Sequence, residues 1–133
     1  MIRISNDKGL LQRIDIGPHT LHSDVAVDLG GEGSAPDPHD LFDASLGACK
    51  ALTLALYAKQ KGLPLTGLDV QLTRDNTQER QGIYGLNVEL TLHGALNDAQ
   101  RQQLLRIADK CPIHKLMTSS EVQVSTQLSE GVE

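Results

Sequence analysis

Tryptophan is absent from this chain of 133 residues, and Phe42, Tyr57 and Tyr84 are its only other large aromatics. The core must therefore be aliphatic, and the aromatic platforms on which unpaired bases stack are missing. Basic residues are scarce as well: 12 Lys and Arg stand against 17 Asp and Glu, for a formal charge of −5. An acidic chain without a basic run argues against nucleic-acid binding. No apolar stretch reads as long enough to span a membrane. The start, Met1 to Asp7, lacks the apolar segment of a secretory signal. The expectation is a cytoplasmic protein with neither nucleic acid nor membrane as partner. Cysteine is limited to Cys49 and Cys111. In a reducing compartment two such distant residues read as thiols rather than a structural staple. They are too few for a zinc site unless histidines complete it.

What is present suits one domain over residues 1–133, long enough to bury a core without disulfides or metals. Leu10 to Ile16 reads as a strand between two turn signals, Asp7-Lys8-Gly9 and Gly17-Pro18. Leu21, Ser23, Val25 and Val27 alternate in the manner of a second strand. The Gly30 to Pro36 stretch matches no phosphate-binding fingerprint and reads as a loop. Asp37, Pro38 and Asp40 then spell a helix start, with Asp37 as cap. That helix is expected to run to about Lys61 and to stop at Gly62. Its many Ala, Gly and Ser residues let a neighbouring helix approach closely.

Leu68, Val70 and Leu72, then Leu86, Val88, Leu90 and Leu92, alternate with polar residues as two strands of a hairpin. Asn97 and Gln100 open a second helix, and Pro112 a third, with Cys111 at its cap. Val122, Val124 and Thr126 read as a last strand. The order of elements is that of an α+β domain with antiparallel sheets and one long central helix.

Chemistry is offered chiefly by the two thiols. A helix N-terminus favours a thiolate, so local reasoning ranks Cys111 above Cys49, which lies in mid-helix. Two buried core thiols and a redox pair are equally compatible with the composition. His19 and His22 point to opposite faces of a strand and make a poor metal pair. Cys111 and His114 would need a further ligand to hold a metal.

The segments Pro38 to Cys49 and Ala108 to Lys115, with Tyr57 to Leu65 between them, resemble the family of osmotically inducible and organic hydroperoxide resistance proteins, OsmC/Ohr. The Tyr57 to Leu65 stretch is similar to the OsmC-like subgroup. The resemblance runs from about Gly30 to about Met117. It implies an OsmC-like fold and an intertwined homodimer, with two long helices packed between curved sheets. It also implies reduction of organic hydroperoxides without metal or other cofactor. Cys49 would attack the peroxide and become a sulfenic acid. Cys111 would convert it to a Cys49–Cys111 disulfide, and an external dithiol would restore the thiols.

In the family an Arg–Glu pair supports the attacking thiol. Its Glu position, ten residues before Cys49, holds His39 here, beside Asp40. The Arg comes from an early turn, where Lys8 is the nearest cation and Arg13 and Arg3 are alternatives. A Lys does not reproduce the planar fork of Arg. The substrate pocket is expected to be apolar and lined by Phe42, Leu46 and Leu52. The competing expectation on the same fold is a binding or redox-sensing protein for a small lipid-like or acyl ligand, without catalysis.

Overall fold

Asp37 and Pro38 start the helix that organises the structure. In the computed structural model, which describes residues 1–129, α1 spans Pro38–Lys61. Asp37 accepts from the Asp40 amide while the Asp40 carboxylate accepts from the Asp37 amide. Two of the amide donors exposed at any helix start are thereby satisfied. At the far end Gly62 adopts φ 66°, and its amide closes on the Ala58 carbonyl. A left-handed stop of this kind suits glycine because it has no Cβ to clash.

The chain before α1 forms three antiparallel strands, β1 (Ile2–Asn6), β2 (Gln12–Ile16) and β3 (His19–Ser23), paired in sequence order. Ile14 faces Ile4 on one side and Leu21 on the other. The expected run from Leu21 to Val27 is shorter than its alternation suggests. Asp24 ends it: its carboxylate accepts from the amides of Val25, Glu32 and Ser34 and from the Ser34 hydroxyl. Those bonds fold the chain back on itself, and Val27 enters a single exposed turn of 3₁₀ helix.

After α1, β4 (Gly67–Asp75) and β5 (Gly85–His93) form an antiparallel hairpin. Leu68 pairs with Leu92, Val70 with Leu90 and Leu72 with Val88. The half-buried side chains alternate with exposed ones along both strands, as a sheet with one covered face requires. α1 covers that face, and Gly47 is what lets it come close. A Cβ on Gly47 would lie 2.5 Å from the Leu72 Cδ1. α2 (Asp98–Ala108) and α3 (Pro112–Ser119) then pack back against α1. Asn97 and Gln100 form the same reciprocal cap at α2 that Asp37 and Asp40 form at α1. The core gathers around Leu54, Leu104 and Ala108, with Tyr57, Leu68, Leu90 and Ile107 against them. Each fully buried leucine contributes about 1.5–3 kcal/mol.

Two expectations are corrected. The segment holding Val122, Val124 and Thr126 carries the alternation of a strand, yet among the described residues it pairs with no strand. Val122 and Val124 are 67% and 83% exposed. Alternation chooses which side chains share a face, but a strand also needs a ladder partner. Second, α1 does have the length and mean hydropathy of a membrane span. It also carries Asp43 and Lys50, both buried and both hydrogen-bonded to neighbouring elements.

Candidate functional site: a thiol pair behind an apolar cavity

Cys49 sits in the middle of α1 and is partly exposed, while Cys111 caps the start of α3 and is fully buried. The fold brings the two side chains near each other, close enough for Cys49 to act on the Cys111 thiol. The His114 amide also donates to the Cys111 Sγ, at 3.4 Å. This cap was legible in the sequence, but its consequence was not. Burial pushes the Cys111 thiol above its ordinary range, and Cys49 pushes the same way. The His114 amide and the charge of Lys50 pull against that rise without reversing it. The expected thiolate at Cys111 is corrected accordingly: desolvation outweighs the helix end.

Lys50 is the residue that sequence reasoning passed over. It is 2% exposed. Its Nζ donates to the Ala108 carbonyl at 2.8 Å and to Asp109 Oδ1 at 3.3 Å, and meets the His114 Nδ1 at 2.9 Å. A local signal existed. Lys50 is the sole charge between Ala44 and Ala58, on a helix otherwise made of small and apolar residues there.

A cavity of about 820 Å³ opens beside this cluster. Phe42 and Leu46 from α1, Leu86 and Val88 from β5, and Met117 from α3 form its apolar wall. One polar group on the wall is His39, Glu79 and Tyr84, with the His39 Nε2 2.9 Å from Glu79 Oε1. The other is Lys50, Asp109 and His114. Neither cysteine forms part of the wall, whereas Lys50 and His114 do, and the His114 amide reaches the Cys111 sulfur.

The remaining sequence candidates are distributed as follows. His39, Phe42 and Leu46 line the cavity, and Leu52 does not: it is 63% exposed elsewhere on α1. Asp40 turns away from the cavity to pair with Arg74. Lys8 lies in the turn between β1 and β2, and Arg13 on β2 pairs with Asp15. Neither lines the cavity. Among the described residues, no three His, Cys, Asp or Glu side chains converge as a metal site.

Behind the cavity wall, Asp43 accepts from Tyr84 Oη at 2.7 Å and from Arg74 Nε at 2.5 Å. The Arg74 fork reaches Asp40 as well. Sequence reasoning missed this cluster, whose members lie on α1, β4 and the loop before β5.

A long capped helix over an antiparallel hairpin, with one thiol in mid-helix and another capping a short helix beside it, defines a class of dithiol α+β protein. The OsmC-like protein family model matches residues 31–127, and the chain belongs to that family. Solved structures agree. A Psychrobacter arcticus protein named for osmotic stress induction and detoxification response superposes with a TM-score of 0.77 at 19% identity, over 89% of this chain and 88% of that one. An organic hydroperoxide resistance protein from Legionella pneumophila gives 0.63 at 23% identity, over 90% and 88%. A Vibrio cholerae protein named for organic hydroperoxide resistance, with captopril bound in one of its active sites, gives 0.62 at 25% identity, over 90% and 85%. No curated protein sequence matches the chain.

Proposed function

We propose that this protein reduces organic hydroperoxides through its thiol pair. One observation carries the reading: a partly exposed thiol, Cys49, lies near a fully buried one, Cys111. That asymmetry suits an attacking and a resolving sulfur. The Cys49 thiolate attacks the outer peroxide oxygen, and the O–O bond breaks. The alcohol leaves with a proton, and Cys49 becomes a sulfenic acid. The Cys111 thiolate then attacks that sulfur, and oxygen departs as water with the proton Cys111 has shed. An external dithiol reduces the resulting disulfide by exchange. The apolar wall of Phe42, Leu46 and Met117 suits the organic part of such a peroxide.

The same reading pairs two copies of the chain. Leu52 and Leu56 on α1, and Ile2 and Ile4 on β1, are at least 55% exposed apolar residues that a second copy would cover. Free thiols in this arrangement suit a reducing compartment such as the cytoplasm.

A second reading, binding of a lipid-like or acyl ligand without catalysis, is favoured by one feature. His39, where the family places the Glu that supports the attacking thiol, is engaged with Glu79 rather than turned to a sulfur. Consumption of cumene hydroperoxide with dihydrolipoate as donor separates the two. Wild type should turn over, Cys49→Ser should be inactive, and Cys111→Ser should react once and stall. Wild type that consumes no peroxide even once, with its thiols confirmed reduced, overturns the enzymatic reading in favour of binding.

A further inference from the structure

Lys50 is the only buried cation among the described residues. Its side chain is 3% exposed, whereas that of Asp109, its carboxylate partner, is 72% exposed. A solvated carboxylate offsets little of the cost of burying an ammonium. The other partners are the Ala108 carbonyl and a nitrogen of the His114 ring, and neither brings a negative charge. Yet these partners bracket one group in the sequence. Ala108 and Asp109 precede Cys111, and His114 follows it and donates its amide to the sulfur. Lys50 thereby meets residues on both sides of the buried thiol, the Ala108 carbonyl before it and the His114 ring after it. The positive charge is left for a negative charge that forms there.

We propose that Lys50 is a positioning residue for disulfide formation: its ammonium, fixed against Ala108 and His114, favours the negative charge that the buried Cys111 sulfur must take on to attack an activated Cys49 sulfur. The proposal rests on the thiol-pair reading above and names the cation that serves it. The ionisable groups facing Cys111 are Lys50 and Cys49 from α1, Asp109 from the end of α2, and His114 from α3. Of these, Lys50 is the buried positive one. In the step itself Cys111 loses its proton and its sulfur forms the S–S bond. The group on Cys49 leaves with the electron pair: hydroxide from a sulfenic acid, taking up that proton as water, or an aromatic thiolate from a mixed disulfide.

The aromatic disulfide DTNB reads this step without peroxide. Cys49, the more accessible thiol, displaces one thionitrobenzoate and keeps the other as a mixed disulfide. Cys111 then displaces the second, and its rate against pH reports the Cys111 thiolate. The first release serves as internal reference. Lys50→Gln keeps a donor for the Ala108 carbonyl and loses the charge; Lys50→Met loses both. Either should slow the second release about tenfold at pH 7 and move its pH midpoint up by about one pH step. Lys50→Arg, which keeps the charge, should move it back.

The proposal is overturned if the folded neutral variants keep the wild-type midpoint, whatever their absolute rate. A surface variant guards against loss of fold. Asp109→Asn removes the carboxylate that competes for Lys50 and should move the midpoint down; an unchanged or raised midpoint also overturns the proposal. Because DTNB carries no peroxide, failure of peroxide reduction and failure of this role for Lys50 give separate results.

Discussion

Two polar clusters hang on α1, roughly 10 Å apart along its axis, and they differ in how their charge is balanced. Near the start of the helix, Asp40 and Asp43 meet Arg74 and Tyr84, with oxygens 2.5–2.7 Å from their donors. Two turns on, Lys50 meets a carbonyl, a ring nitrogen and a solvated carboxylate. The first cluster is closed: two carboxylates share one guanidinium and a tyrosine hydroxyl, and Asp40 also sits at the favourable end of the helix dipole. It fastens α1 to the hairpin. The second is open and leaves a buried positive charge beside two sulfurs. The difference separates a device that holds the fold from one that holds charge for chemistry.

The strongest way to break the contrast is Asp43→Ala. It removes the acceptor shared by Arg74 Nε and Tyr84 Oη, from a side chain that is 10% exposed. Loss of about 2–4 kcal/mol in urea unfolding is expected. The second thionitrobenzoate release, measured on the folded variant, should keep its wild-type pH midpoint. A shift there would show that the two clusters are one.

The clusters also differ in how far sequence could reach them. The bounds of α1 were legible because they are written locally: Asp37, Pro38 and Asp40 at one end and Gly62 at the other. The same holds for Asn97 and Gln100 at α2 and for Cys111 and Pro112 at α3. The thiol pair was legible through its two surrounding motifs and the family they resemble. The end of β3 was not, because Asp24 acts on residues as far along as Ser34. The Val122 to Thr126 alternation names a face but not a partner. Arg74 and Tyr84 reach Asp43 across 31 and 41 positions, and Lys50 reaches His114 across 64. No periodicity links residues at such separations. The pull of burial on Cys111 was hidden for the same reason: depth is a tertiary property.

A smaller change sharpens the contrast from the alkaline side. Burial first, and the bond to Asp43 second, push the Tyr84 hydroxyl up to about 12. The fold therefore favours its protonated form. That contribution is fully present below the ordinary tyrosine value of about 10 and is lost as pH rises through about 12. Tyr84→Phe keeps the ring packed edge-on to Phe42 and removes only the hydroxyl. It should cost about 1 kcal/mol at neutral pH. The difference between wild type and variant in urea midpoint should shrink between about pH 10 and pH 12, which isolates Tyr84 from the other groups that titrate there.

The smallest effect is expected at Asp40, and it runs in the opposite pH direction. The Arg74 guanidinium, followed by the Asp37 amide, holds its carboxyl below the usual carboxylate range. A lowered value means that the folded state favours the charged form. Its stabilisation is complete above the unfolded carboxyl value near ~4 and disappears as pH falls through the lower folded one. The side chain is 49% exposed, so solvent and salt weaken the pair. Asp40→Asn should therefore cost less at neutral pH than Tyr84→Phe, and the wild-type advantage should begin to fall below about pH 4 and should be lost in molar salt. Asp43, buried one turn along, should keep its effect in salt. If salt erased both equally, the first cluster would be a surface ion pair throughout, and the contrast with Lys50 would rest on the thiol end alone.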